Sequence, residues 1–480
     1  MSYIWRAMPK TRRAIAVVLA GLTGALLVMG GCGQILGLGD LSSAPLDGGR
    51  DTGRNGRGDA APDARNTHEG SVDGAHDSGR QDGESVDAGV DACTPADADA
   101  APAVCGVVGG TPVHVDWSAA DGGNGSMIHP FSSITQALDS LVGAPPPTVT
   151  IQVAAGTYTE NDIVVPANVS LVGAGSGPTG TRFEGPATCG RDAGVACPAI
   201  TLNPGAILCG FSITTASSPA PSEGSGILAS SGPLAVTSAR IANVVVSQTR
   251  HSGITAESSF VVGPGVTSTQ SGVDGLVALS GTLQVISACG LPNHFDDNGG
   301  DGVVVVSGAA LDFQGGTAIG NTTDGVVVNG SGGEVVISNL VAHGNLEGVV
   351  VGAGIGGAGS VPRTFTLRAS DLSGNTDLGL YYDYGSESPG ATDPLDIGTP
   401  ISPGHNIFAR SGAPPKSGVG IFLCHARGLS SQAVTGDTFA ECAPSTGSFT
   451  SCASVPPNYV DVGFVPRADA GIADPVTSCN

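Results

Sequence analysis

Between Gly226 and Gly379 the chain repeats a short pattern in which a turn and a glycine lead into a run of β-branched or apolar residues: SGIL, SGIT, DGLV, DGVVVV, DGVVV, EGVVV and LGLYY. The leading glycines, Gly226, Gly253, Gly275, Gly302, Gly325, Gly348 and Gly379, are spaced 27, 22, 27, 23, 23 and 31 residues apart. Such a period fits three short strands and three corners per turn, the unit of a parallel β-helix, with surplus residues leaving as loops from a corner. TVTIQVAAGTYTE, DIVVPANVSLVGAG and AITLNPGAILCGFSIT read as the opening coils. Before them, HVDWSAADGGNGSMIHPFSSITQALDSL predicts a strand at 114–117, a glycine-rich loop and a cap helix at about 132–142, opened by a capping box of Ser133 and Gln136. Ile134, Ala137, Leu138 and Leu141 share one face of that helix, which is expected to cover the open end of the first coil.

Composition supports a solenoid. Seventy-six glycines, 32 prolines and 4% aromatics among 480 residues argue against an ordinary globular core and suit a stack of Val, Ile, Leu and Ala. The formal net charge of −23 excludes nucleic acid as a partner and favours cations or neutral glycans over polyanions. Residues 40–104 hold twelve Asp, two Glu and five Arg among Gly, Ala, Ser and Pro, which predicts a disordered acidic tether. Its flexible length is roughly 45 Å root-mean-square.

The N-terminus places MPKTRR before the apolar run AIAVVLAGLTGALLVM, which ends in Gly30, Gly31 and Cys32. This resembles a bacterial lipoprotein signal peptide; the run is short for a membrane span, which needs about 20 apolar residues. The resemblance implies removal of residues 1–31, lipidation of Cys32, and anchoring of 32–105 to a membrane. Gly33 resembles the residue following the cysteine in lipoproteins forwarded to the outer membrane, so the expected location is the outer membrane or surface of a Gram-negative cell. Ten further cysteines in an exported chain suggest disulfides. The local pairs Cys93–Cys105, Cys189–Cys197 and Cys442–Cys452 are expected, with the full connectivity left open.

The run from HVDWSAADGGNGS through HPFSSITQALDS to VTIQVAAGTYTE and NVSLVGAG, about Val113 to Gly175, is similar to the start of a family of uncharacterised bacterial pectin-lyase-like β-helix proteins. The resemblance implies an all-β, right-handed parallel β-helix over 106–480, with a short N-terminal cap helix and a Cys-rich C-terminal end. It does not imply an activity, because that fold carries lyases, hydrolases, epimerases, tailspikes and non-catalytic adhesins.

Several residue sets could carry chemistry. Aligned on the repeat glycine, Asp274, Asp301, Asp324 and Glu347 occupy one position and should stack as a carboxylate row. The row reads either as a Ca²⁺-binding or acid/base face, or as ordinary Asp-Gly turn chemistry. Asn298, Asn321, Asn345 and Asn375 precede the glycines by three or four residues and predict an asparagine ladder at a left-handed corner. LPNHFDDNGGDG, 291–302, reads as an insertion bringing His294, Asp296, Asp297 and Asp301 to one corner, with Arg250 and His251 about two coils away. Asp296 and Asp297 could form the carboxylate pair of an inverting hydrolase, although the remaining hydrolase and lyase patterns are incomplete. Tyr381, Tyr382 and Tyr384 could stack against sugar rings from an outer strand face.

Two functions follow: a lipid-anchored surface β-helix that is non-catalytic and carbohydrate-binding or adhesive, and a polysaccharide lyase or glycoside hydrolase built around Asp296 to Asp301. No cofactor is required by either beyond Ca²⁺ at the carboxylate row, and the expected partners are the outer membrane and an extracellular polysaccharide.

Overall fold

The computed structural model describes residues 105, 112–142, 148–160, 162–185, 198–215, 224–231, 237–288, 290–306, 308–329, 333–352, 364–383, 395–399, 401–408, 419–426, 437, 446–448 and 460–466. The signal sequence, Cys32, the tether, Tyr384 and Cys93, Cys189, Cys197, Cys442 and Cys452 lie outside the described residues.

Every pair of named strands is parallel, and they form two sheets. The longer sheet bends. Ile207–Thr215 pairs with Val169–Gly173 through its first residues and with Thr181–Gly185 through its last, and Ala239–Ser247 divides in the same way between Phe260–Val262 and Thr267–Thr269. Its two limbs are the first and second faces of a prism. The other sheet is the third face, running from Ile163–Val165 through Ile254–Ala256, Val303–Val306 and Glu347–Val351 to Val460–Pro466. The chain is therefore a right-handed parallel β-helix, the hand that parallel crossovers adopt.

On the third face, residues alternate between core and exterior. Ile254, Leu276, Val303, Val326 and Val349 stack in register inside, as do Ala256, Ala278, Val305, Val328 and Val351. The interior is less purely aliphatic than composition suggests: Phe183, Phe211, Phe260, Phe295, Phe313, Phe365 and Phe408 are fully buried. Phe295 and Phe313 lie 6.3 Å apart between centroids. Few aromatics suffice because they are spent almost one to a coil.

The repeat glycines owe their identity to close approach between coils. A Cβ on Gly302 would lie 2.6 Å from the Gly325 carbonyl oxygen, one on Gly325 2.5 Å from that of Gly348, and one on Gly348 2.5 Å from that of Gly379. The column continues to Gly420, whose carbonyl oxygen would lie 2.6 Å from a Cβ on Gly379. None of these glycines adopts positive φ.

The asparagine ladder forms as expected. Nδ2 of Asn298 donates to Oδ1 of Asn321 at 3.0 Å, Asn321 to Asn345 at 3.1 Å and Asn345 to Asn375 at 3.2 Å. Each Oδ1 also accepts the backbone N–H of the preceding rung, at 2.9–3.1 Å. The left-handed conformation, however, falls one residue earlier, at Gln248, Gln270, Asp297, Gly320, Gly344 and Gly374. Placing the twist there frees each Asn side chain to turn inward along the axis.

The 291–302 segment differs from its expected form. His294–Asp296 is a regular second-face strand in register with Thr267–Thr269. The surplus residues lie in the first corner: 287–293 separate Ile286 from His294, where 315–316 separate their partners Gln314 and Thr317 in the next coil.

The helix spans Ile134–Asp139, and Ile134, Ala137 and Leu138 are buried. It is shorter than expected, since Leu141 packs against the core from outside it. Ser133 Oγ accepts the Gln136 N–H at 3.1 Å, but the reciprocal arm of the capping box goes to the Ser132 N–H at 3.3 Å. Glu160 completes the cap, its two oxygens accepting the Ile134 and Thr135 N–H groups at 2.7 Å each.

Cys105 bonds Cys209, 104 residues away, and not Cys93. Cys209 is on the outside of the first face, where Ala242 and Val172 surround the bridge. The expected Cys93–Cys105 pair is replaced by this bridge, a proximity between residues 104 apart that sequence spacing does not encode.

Replacing Gly325 by Ala is expected to destabilise the solenoid by about 1–3 kcal/mol, the usual penalty for forcing a methyl group into a filled site. Urea unfolding followed by circular dichroism measures this; an unchanged midpoint would contradict the close-approach account.

Candidate functional site

The second face presents mostly polar side chains outward in two axial columns, the first interrupted by Val245 and Val341. One runs through Thr157, Arg182, Ser212, Val245, Thr267, His294, Thr317, Val341 and Asp371, each in register with its neighbour one coil away. The other, two residues further along each strand, holds Glu184, Thr214, Ser247, Thr269 and Asp296. The third face is different. Its outward column contains Val277, Val304 and Val327, which form a separate apolar cluster with Leu279, Val306 and Val350 against it.

A hydrogen-bonded group occupies the middle of the second face. Thr317 Oγ1 donates to the Asp296 carboxylate, 2.8 Å from each oxygen, and the Ile319 N–H donates to Oδ1 at 2.8 Å. With its proton directed to Asp296, the Thr317 oxygen accepts from Nδ1 of His294 at 2.9 Å. Nδ1 is also 3.3 Å from Asp296 Oδ2. This arrangement fixes the tautomer and leaves Nε2 as the second ring nitrogen available to a ligand. Further along, His343 Nε2 lies 3.0 Å from Asp371 Oδ1, and Ser373 donates its N–H to the same oxygen at 3.0 Å. Burial pushes the Asp371 carboxyl up, but hydrogen bonds from Ser373 and His343 carry it below the usual carboxylate range.

The residues expected to form a catalytic corner do not converge. Asp296 faces outward on the second face with both oxygens occupied. Asp297 turns the second corner with φ of 56°. Asp301 closes that corner, its Oδ1 accepting from the Asp324 N–H at 2.9 Å and from the Thr323 hydroxyl. Arg250 and His251 turn the same corner two coils earlier: 249–251 bond to 272–273, and 271–273 bond to 299–300. At about 4.8 Å per coil they stand roughly 10 Å from the Asp297–Asp301 turn.

The carboxylate row is present and is bonded along the axis. Asp274 Oδ1 accepts the Asp301 N–H at 3.0 Å, Asp301 accepts that of Asp324, and the Glu347 backbone serves Asp324. Each carboxylate thus reaches to the next coil and not towards a common centre. Among the described residues no group of three or more His, Cys, Asp and Glu could hold a metal ion. Burial pushes Asp274 up to about 6. It acts with the Asp301 and Asp377 charges to push Asp324 to about 7, and with Asp324, Asp377 and Asp301 to push Glu347 to about 8. Burial also raises Asp301. Asp377 was missed by aligning on glycine because Leu378 stands between it and Gly379.

Tyr381 and Tyr382, the described members of the expected stacking cluster, do not form an outer platform. Tyr382 is fully buried in the inner column after Val351, edge-on to Phe365 at 5.6 Å. Tyr381 points outward but stacks on Phe422 at 5.9 Å. Strand alternation carried from EGVVV into LGLYY places them so. No helix among the described residues is long and apolar enough to cross a membrane.

Residues 118–361 match a family described as a protein of unknown function, DUF1565. No curated protein matches the sequence. Among solved structures, the chain is similar to the A-module of mannuronan C-5 epimerase AlgE6 from Azotobacter vinelandii, with 14% identity, 72% of this chain and 94% of that one covered, and a TM-score of 0.43. The AlgE4 A-module from the same organism gives 14% identity, 76% and 100% coverage and a TM-score of 0.43. Pectate lyase Pel9A gives 13% identity, 66% and 76% coverage and a TM-score of 0.35. At such scores the architecture rests on the strand pairings themselves.

Because the folded state holds these carboxylates protonated at pH values where the unfolded chain has released the protons, their stabilising contribution is complete below the ordinary carboxylate range. It is lost as pH rises through about 6, 7 and 8, where Asp274, Asp324 and Glu347 titrate. Thermal unfolding is therefore expected to show a higher melting temperature at pH 5 than at pH 8.5, and Asp324→Asn combined with Glu347→Gln to flatten that slope. A parent protein more stable at pH 8.5 would contradict the account.

Proposed function

The chain belongs to the DUF1565 family of proteins of unknown function, and on that premise we propose that it is an exported, lipid-anchored β-helix that binds an extracellular polysaccharide along its second face without cleaving it. The observation that carries this reading is the pair of polar columns on that face. Between Val245 and Val341 they place Thr267, His294 and Thr317, with Ser247, Thr269 and Asp296 alongside, at coil spacing, about 4.8 Å, so a linear polymer would meet successive hydrogen-bonding groups there. Individually weak contacts on such a track add through effective concentration.

A binding role is favoured over turnover because the candidate acids already have partners. Asp296 is bonded to Thr317 and Ile319, Asp301 to the backbone of Asp324, and the coil from Gly275 to Gly302 that carries both holds no lysine or arginine. Lipid attachment at Cys32 and the acidic segment 40–104 supply the anchor and the spacer. The negative charge of the chain favours a neutral or weakly charged glycan over a polyuronate.

The full chain is expected to be retarded in affinity gels containing a neutral polysaccharide, and the double substitution His294→Ala, Asp296→Ala to weaken binding about tenfold with the circular dichroism spectrum unchanged. Release of reducing ends or unsaturated products by the parent protein would overturn the non-catalytic part of the proposal. In cells, Cys32→Ser is expected to abolish palmitate labelling and to move the protein from the membrane to the soluble fraction; continued labelling would rule out Cys32 as the anchor.

A further inference from the structure

With Tyr381 and Tyr382 occupied, the exposed aromatic side chain among the described residues is Trp117, at the opposite end of the solenoid. It follows the first strand, Val113–Val115, and overlies the start of the second face at Gly156. Gly156 has φ of 147°, and a Cβ there would fall 2.1 Å from both Cδ1 and Nε1 of the indole. The pyrrole edge thus occupies the space of a missing side chain, in a backbone conformation that L residues rarely adopt. The indole as a whole remains 56% exposed.

The backbone beneath it is fixed from several sides. The Trp117 N–H donates to the Tyr158 hydroxyl at 3.3 Å, and that hydroxyl donates to the Ala154 carbonyl at 3.1 Å. The Asp116 N–H donates to the Phe131 carbonyl at 2.8 Å. Ser118 donates its N–H and its hydroxyl to Asp116 Oδ1, at 2.9 and 2.7 Å. These Ser118 bonds hold the Asp116 carboxyl below the usual range, so it is ionised at neutral pH with Oδ2 left to accept a hydroxyl. Asp116 and Glu160 both place negative charge close to Tyr158.

We propose that Trp117, seated on Gly156 and flanked by Asp116, is a stacking platform for a neutral pyranose ring at the N-terminal end of the second face. An indole held at one edge offers its apolar surface to the C–H face of a sugar, while the adjacent carboxylate accepts from the ring hydroxyls. The same carboxylates would repel a uronate, which makes the platform selective for uncharged sugars. This inference rests on the glycan-binding reading above and adds to it a position and a sugar class. The platform and the His294 group lie on the same face about five coils apart, roughly 24 Å at the coil spacing, within reach of one extended chain.

The test uses the mature chain from Cys32 onward, which lacks Trp5, so that Trp117 is its one tryptophan. Cellohexaose, mannohexaose and xylohexaose serve as neutral probes and hexagalacturonate as the charged comparator, with indole emission, acrylamide quenching and calorimetry as readouts. Quenching of the free protein is expected to be strong. At least one neutral hexasaccharide is expected to shift the emission and protect the indole, and hexagalacturonate to do neither. Trp117→Ala is expected to lower the affinity for that probe at least tenfold, Gly156→Ala to lower it by displacing the ring, and Trp117→Phe to recover part of the loss; melting temperatures check that each variant is folded. A Trp117 already shielded in the free chain would overturn the proposal by showing another segment covering it, and so would protection by none of the neutral probes. Neutral binding that survives Trp117→Ala but is lost on His294→Ala, Asp296→Ala would overturn the platform and leave the second-face reading standing. Absence of binding to any glycan by the parent would remove both.

Discussion

The structure depends on how closely successive coils approach. Parallel strands stacked at about 4.8 Å leave no room for a Cβ where the second corner enters the third face, and the repeat glycines meet the carbonyl of the next glycine at distances a methyl group could not tolerate. That approach sets the register of everything around it. The asparagine amides, three or four residues earlier, align well enough to donate from rung to rung. The acids immediately before the glycines align well enough to accept from the next backbone. Three columns of different chemistry share one constraint.

The asparagine and carboxylate columns satisfy polar groups at the same corner in ways that differ in consequence. An amide both donates and accepts, so the ladder is neutral, buried and complete. A carboxylate only accepts while ionised, and a row of them desolvates and repels its own members, which is why burial is the leading cause of every raised value in the row. Asp324 Oδ1, buried with no hydrogen-bond partner among the described residues, marks where the arrangement is least satisfied. The row is bonded from coil to coil along the axis, and burial ties its contribution to stability to proton concentration.

The outer surfaces of the prism divide the labour. The valines that point away from the core on the third face are themselves buried in a second apolar cluster, while the second face turns threonine, serine, histidine and aspartate outward. A second-face strand such as His294–Asp296 buries its middle residue and turns the two flanking ones outward, so two residues per coil decide what that face offers, and a change of character along the axis needs no change of backbone. The second face is assembled by stacking, and Trp117 lies over its first strand at Gly156.

The glycine period, the Asn and Asp columns and the alternation within DGVVV are local regularities, and from them the coil architecture and the existence of both ladders were legible in the residues alone. So was the buried face of the cap helix, through Ile134, Ala137 and Leu138. Contacts between residues far apart in sequence were not. Cys105 meets Cys209 across the outside of the first face; the surplus of the 27-residue coil leaves at 287–293, one corner before the acids it was expected to carry; and Asp296 finds Thr317 in the next coil. Tyr382 faces inward through a parity that a cluster of three tyrosines conceals. Period and composition specify which column a residue joins, because they repeat along the chain. Which columns become neighbours, and which side chains are already occupied when they do, is fixed only when the corners are formed and the coils stack.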